Sequence, residues 1–469
     1  MDALDAQTWA VMEFGEAELG HRARTKRLVR IAAGLMSSPA SSIPKAITDP
    51  AQAKAVYRFL SNPNVTHEAI LSGHVRATAD RCFREPSVLL LQDTTTLTFH
   101  SRALADLGPV NDQAHTKGFL AHTTLAVAEG SHAVLGVLHQ HTWIRSAKKK
   151  PGKETAAQRK KRPRESEHWG DNQKSAAVAL REGAERAGVA APHVIAVFDR
   201  EGDIFEAMEA LRDLGHSFVI RAERNRLLDE DGDERRYGLD EVRKAPVVAR
   251  KKVDVRAYAG RAARIAELEI RAMSAAVCPP VNRDRKGESL EVNIVLVEEV
   301  SPPDGVAPLQ WYLVTKEPIK TKAHVLAVVR AYEARWIIEE FHMGLKTGCS
   351  CEDRQMESAP ALQNFLAVAT PMACELLRLR DAARRDTPIA ECSILTPTEM
   401  KVVRALRPRA MAMATTARHL MRIVANFGGF LNRNSDPDPG WRTLWRGFEE
   451  IKAAAIGYDI RDRQGRGRA

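Results

Sequence analysis

A mixed α/β sheet, flanked by helical segments at both ends of the chain, is the fold class this sequence predicts. Three observations lead there. Short Val-, Leu- and Thr-rich runs follow one another from Val88. Two further buried runs then alternate with helical periods, and four segments of period near two come before the helix "AYEARWIIEEFHMGLK" at 331–346. Three strands, helix, strand, helix, strand makes a sheet of mixed rather than all-parallel direction.

The elements justify this in order. The first 70 residues or so read as helical. "HRARTKRLVRIAAGLM" carries Arg22, Arg24, Lys26, Arg27 and Arg30 on a segment whose Leu28, Ile31, Ala32 and Leu35 recur at helical spacing. "DPAQAKAVYRFLSNPNV" follows as an Asp-capped helix stopped by Asn62-Pro63. A small helical module with one basic face suits a DNA reader, and suits a merely solvated face equally well. "VLLLQDTTTLTF", "TTLAVAEG" and "AVLGVLHQHTWIR" read as three mostly antiparallel strands. After them come the helix "DNQKSAAVALREGAERAG", the buried strand "HVIAVFD", the helix "DIFEAMEALRDLG" and the strand "SFVIRAE". Residues from about 227 to 318 form a β-rich excursion, predicted as a sheet inserted into the α/β domain. "ALQNFLAVATPMACELLRLRDAA" is a long apolar helix with a kink expected at Pro371, and the remainder is largely helical.

Charge narrows the function classes. Lys+Arg 70 against Asp+Glu 60 leaves a net charge of +10, which favours a polyanionic partner. Ten Lys or Arg crowd the 22 residues of 145–166, a solvated loop or one that orders on phosphate. Six irregularly spaced cysteines suit a reducing cytoplasm, and Cys349-x-Cys351 near His342 lacks the second pair of a zinc finger. The opening segment is acidic and amphipathic, unlike an export leader, and no apolar run is long enough to span a membrane. A cytoplasmic protein is expected.

Three carboxylates stand out by context. Asp93 closes the apolar run "VLLLQD", and Asp199 closes "VIAVFD" at the C-terminal edge of its strand, where sheet-built sites gather. Either aspartate alone reads better as an N-cap or turn former. At about 100° per residue, Tyr332, Arg335, Glu339 and Lys346 fall within an arc of about 60°, with His342 about 20° beyond it. Glu340 lies about 100° from Glu339, so Glu339 is the better candidate of the doublet. A carboxylate among cations suits a metal that binds phosphate. Two Asp and one Glu can hold two Mg²⁺ ions, one activating the attacking oxygen and one stabilising the leaving oxygen.

With "QDTTTLTF" around Asp93, "VFDREGDIFEAM" around Asp199 and Tyr332-x2-Arg335-x3-Glu339-x6-Lys346, the chain resembles bacterial insertion-sequence transposases of the Asp-Asp-Glu class with the Tyr-Arg-Glu-Lys signature. "YRFLSNPNV", "PLQWYLVTKEP", "LTPTEM" and "GW..LWRGFE" extend the likeness along the chain. The resemblance implies a helical DNA-end-binding domain at 1–70 and an RNase H-like catalytic domain at 71–380, with an inserted β-subdomain at about 227–318. It implies a helical dimerisation domain at 381–469, and a homodimer bridging two ends of double-stranded DNA. The implied chemistry is cut-and-paste transposition: nicking by activated water, hairpin formation, hairpin opening and strand transfer. Asp93, Asp199 and Glu339 would hold Mg²⁺, with Mn²⁺ substituting; Tyr332, Arg335 and Lys346 would contact phosphates. Trp311, by composition a core or edge-strand residue, matches the position that stacks on a displaced nucleotide. Arg27 and Arg58 match positions that touch end DNA, and Arg200 and His342 complete the expected DNA contacts. Two other readings share these residues, a DNA-end-binding regulator that does not cut and a nuclease on the same fold. The full carboxylate set speaks against the first, and the added terminal helices against the second.

Overall fold

The structure, a computed structural model, describes residues 6–99, 106–110, 116–146, 165, 167–229, 235–255, 262–280, 288–384, 386–391, 395–433, 436 and 438–466. Most of the basic loop 145–166 lies outside the described residues. Its base does not: Arg145 pairs with Glu165 at 2.5 Å.

The chain opens with helices α1 (Ala6–Phe14), α2 (Arg22–Met36), α3 (Ile43–Ala46), α4 (Pro50–Leu60) and α5 (His67–Cys82). The caps are those the sequence offers. His21 Nδ1 accepts from the Ala23 amide at the start of α2, and Asp49 accepts from Ala51 and Gln52 at the start of α4, with Pro50 in the first turn. The boundary expected at residue 70 falls inside α5, which packs on α1 and on the sheet.

Strands β1 (Ser87–Phe99), β2 (Gly108–Pro109), β3 (Lys117–Ala128) and β4 (Val134–Trp143) come next. Helix α6 (Glu167–Ala187), strand β5 (His193–Phe198), helix α7 (Phe205–Asp213) and strand β6 (Ser217–Arg221) follow in the predicted order. The pairs β1–β3 and β3–β4 are antiparallel, while β1–β5 and β5–β6 are parallel. Alternation sorts the strand residues to two faces. Val88 and Leu90 pack with Ala176 and Leu180 of α6, whereas Leu89, Leu91 and Leu97 join the core of the opposite face.

The β-rich excursion contains helix α8 (Gly238–Lys244) and strands β7 (Val247–Val255), β8 (Arg264–Val277), β9 (Leu290–Val300) and β10 (Gln310–Thr315). It does not form a sheet of its own. β10 pairs antiparallel with β6, placing Leu313 opposite Arg221, and β9, β8 and β7 continue the order outward. The physical reason is the open edge of β6, whose amides and carbonyls need partners that a following strand supplies.

The opposite face is covered by α9 (Lys322–Glu333), α10 (Trp336–Met343) and α11 (Ala359–Arg384). α11 runs through Pro371 as one helix, and the boundary expected at 380 falls inside it. Beyond lie α12 (Pro397–Leu406), α13 (Pro408–Met413), α14 (Ala417–Phe427) and α15 (Trp441–Arg466). A capping box starts α12, where Thr396 and Glu399 bond each other's backbone amides.

Arg354 ties distant segments together. It is 6% exposed and donates to the carbonyls of Pro39, Ser41 and Cys349, with its guanidinium 4.5 Å from the Phe365 ring centroid. Arg354→Met would keep the stem and orphan three carbonyls. It should destabilise the protein by about 2–4 kcal/mol, read as a lower urea midpoint. An unchanged midpoint would mean that water satisfies those carbonyls.

Candidate active site

The site grows from the parallel pairing of β1 with β5. Leu91 stands opposite Val197 on the last shared rung, and both face the same core. One further step of two residues along β1 brings Asp93 to that face, and Asp199, just past the end of β5, is near enough for its charge to act on Asp93. β1 continues to Phe99, so Asp93 lies mid-strand rather than at a strand end, opposite Thr123 of β3. Asp199 stands where β5 gives way to a 3₁₀ turn, and its Oδ1 accepts from the Glu201 amide at 2.8 Å. The capping role open to Asp199 is therefore realised, and it leaves Oδ2 for other partners.

The third carboxylate comes from the helical face. One continuous regular helix over 331–346 was expected, and this is corrected. The turn tightens between α9 and α10, where Arg335, Ile337 and Ile338 donate to carbonyls three residues back. It loosens again after Met343 into a π turn over Gly344–Gly348, closed by Cys349 N–H to Gly344 O at 2.8 Å. Uniform rotation thus fails at both ends and holds in the middle. Glu340 turns away to pair with Arg380 of α11. Glu339 faces Asp93, and both Nη atoms of Arg335 donate to its Oε1 at 3.2 Å.

Asp93, Glu339 and His342 each bring a ligand atom within 4.8 Å of the others. Asp93 is 8% exposed, accepts from the Thr94 amide at 2.9 Å, and has Oδ2 3.6 Å from His342 Nδ1. Burial, then the nearby charges of Glu339 and Asp199, push its carboxyl up to about 7, against the pull of the Thr94 amide and Arg335. Burial, with Lys346 and Arg335 adding, pushes His342 down to about 3 and keeps it neutral. Sequence reasoning placed His342 just beyond the polar arc, among the DNA contacts; it is buried, with Nδ1 toward Asp93.

The remaining candidates divide. Tyr332 is buried at the end of α9, with its ring 5.7 Å from that of Trp311. Trp311 is half-buried on β10, and Lys346 is half-buried on the π turn. Arg200 is exposed beside Asp199 and pairs with Glu223 at 3.3 Å. Arg27 and Arg58 are exposed on α2 and α4. A groove of about 440 Å³ between these helices is lined by Arg27, Arg30, Asp49 and Gln52 among others.

Residues 6–65 match the transposase DNA-binding family. The match spans α1 through α4 and includes both exposed arginines. It supports a transposase and assigns DNA as a partner. No helix among the described residues is long and apolar enough to cross a membrane.

Two features of the site escaped sequence reasoning. Trp336, beside Arg335 and three residues before Glu339, is 60% exposed, and its place next to the Tyr-Arg-Glu-Lys residues was its available signal. Beneath the site, the Thr94 hydroxyl lies 2.8 Å from His122 Nδ1, His122 Nε2 lies 3.1 Å from Gln92 Oε1, and Gln92 Nε2 donates to Gln173 at 2.8 Å. That buried chain braces β1 against α6 and depends on strand pairing that no local pattern announces.

Proposed function

We propose that the protein is a cut-and-paste DNA transposase of the Asp-Asp-Glu class, acting as a homodimer on paired element ends. The observation that carries this reading is the approach of Glu339 of α10, and of the charge of Asp199 after β5, to Asp93 in the middle of β1, in a chain whose N-terminal helices match a transposase DNA-binding domain. The order of three antiparallel strands, helix, strand, helix and strand supports an RNase H-like catalytic domain.

The donor set suits hard divalent cations. Burial, and then the two neighbouring carboxylates, oppose a charge on Asp93, and a cation among them would offset that penalty. Asp93, Asp199 and Glu339 would hold Mg²⁺, with Mn²⁺ able to substitute. Bound there, such ions activate an attacking water or 3′-hydroxyl and stabilise the leaving oxygen. Arg335 fixes the Glu339 carboxylate through two N–H donors, and with Lys346 it supplies positive charge for phosphates flanking the scissile bond. Exposed Arg27, Arg58 and Arg200 contact DNA along its path, and their screening by salt makes end binding fall steeply as ionic strength rises. Tyr332 acts from beneath, backing Trp311. Nicking is followed by attack of the freed 3′-hydroxyl on the opposite strand, giving a hairpin that is then opened and transferred into target DNA.

Incubating the protein with its element's terminal repeats and Mg²⁺ tests this. Paired-end complexes, nicks and hairpins are expected. Binding without cutting would make it an end-binding regulator, and cutting indifferent to the repeats would make it a nuclease. Hairpin formation requires a nucleotide drawn from the stack, for which the partly exposed Trp311 offers a platform. Trp311→Ala should retain nicking and lower hairpin yield about tenfold, the worth of one base stacked on an aromatic ring. Unchanged yield would return Trp311 to a packing role.

A further inference from the structure

We propose that His342 is a nitrogen ligand of one of the two metal positions, which makes this centre a mixed nitrogen–oxygen site favouring Mn²⁺ over Mg²⁺. The inference rests on the metal-dependent reading above and adds a ligand to it. Glu339 and His342 stand three residues apart on α10, a spacing that turns both side chains to one face. The same Glu-x-x-His arrangement lets one helix offer an oxygen and a nitrogen to transition metals in bundle proteins. Here Asp93 of β1 meets the pair, all three within 4.8 Å, while Asp199 stands outside this set.

The His342–Asp93 separation is too long for a hydrogen bond and close to that of two ligands on one ion. His342 Nδ1 and Asp93 Oδ2 are 3.6 Å apart, beyond a normal N–H···O bond. Two ligands sharing an ion at about 2.1 Å each lie about 3.0–3.4 Å apart in octahedral or tetrahedral geometry. His342 is 6% exposed, and among the described residues its buried Nε2 has no hydrogen-bond partner. No described group therefore fixes its tautomer, and Nδ1 can carry the lone pair. Imidazole binds Mn²⁺ more readily than Mg²⁺, which prefers oxygen and retains its waters.

Pulsed electron paramagnetic resonance of Mn²⁺ bound to the full-length protein tests the assignment directly. The wild type should show coupling of Mn²⁺ to an imidazole ¹⁴N. His342→Gln should lose that coupling and lower the Mn²⁺-over-Mg²⁺ preference about tenfold or more. His342→Asp, which restores a ligand without nitrogen, should bind Mn²⁺ and show no coupling. Bound Mn²⁺ that is released by Glu339→Gln yet shows no ¹⁴N coupling in the wild type would overturn the His342 assignment and leave the three-carboxylate reading standing. Coupling that persists in His342→Gln would do the same. A wild type that binds no Mn²⁺ would overturn both.

Discussion

Glu339→Gln should lower DNA nicking by roughly 10²–10³-fold or more while leaving binding to the element's ends within about twofold. The substitution keeps shape and hydrogen-bonding length and removes one charge. That charge is what would hold a cation opposite Asp93, and it is what both Arg335 N–H donors grip. End binding should survive because the exposed arginines of α2 and α4 belong to the matched DNA-binding segment and not to α10. Cleavage and gel-shift assays on the same preparations separate the two effects. Cutting at the wild-type rate would remove Glu339 from the chemistry. Glu340→Gln is the matched control, since Glu340 pairs with Arg380 and points into α11; it should cut normally, at some cost in stability.

Asp93→Asn should stabilise the metal-free protein at alkaline pH, although it destroys the site. The sign follows from linkage. Burial and the neighbouring carboxylates raise the Asp93 carboxyl from a usual 3.8 to about 7, so folding favours its protonated form. The corresponding stability is fully present below the unfolded value and is lost as pH rises through about 7. Above that, wild type carries a penalty of up to about 4 kcal/mol that the asparagine avoids. Thermal unfolding in a chelator between pH 4 and pH 8.5 should show the wild type falling below Asp93→Asn across this window. Adding Mg²⁺ at pH 8 should raise the wild-type midpoint and leave the variant unmoved, because binding requires Asp93 to release its proton. Parallel profiles for the two proteins would refute the electrostatic account of this carboxylate.

The outcome for the glutamate doublet shows how far local periodicity reaches. Rotation by about 100° per residue separates Glu339 from Glu340 correctly because α10 is regular where they sit. The same arithmetic puts His342 beside the polar arc but gives no sign of its burial, which follows from the packing of α10 on β1. Trp311 and Tyr332 illustrate another limit. They come from a strand and a helix, and their ring contact follows from β10 joining the edge of β6. The predicted separate sheet would not have put them together.

Sequence alone determined the order of strands and helices, the cap at Asp49, the basic character of α2, and the identity of three carboxylates in distinctive contexts. These are local properties, written in periodicity and in side-chain chemistry over a few residues. Tertiary structure decided that Asp199 is near enough for its charge to act on Asp93, that His342 turns inward to meet Asp93 and Glu339, and that the excursion extends the main sheet. Each of those depends on hydrogen-bond pairing or packing between segments far apart in the chain, and the energy of such a contact resides in neither segment by itself.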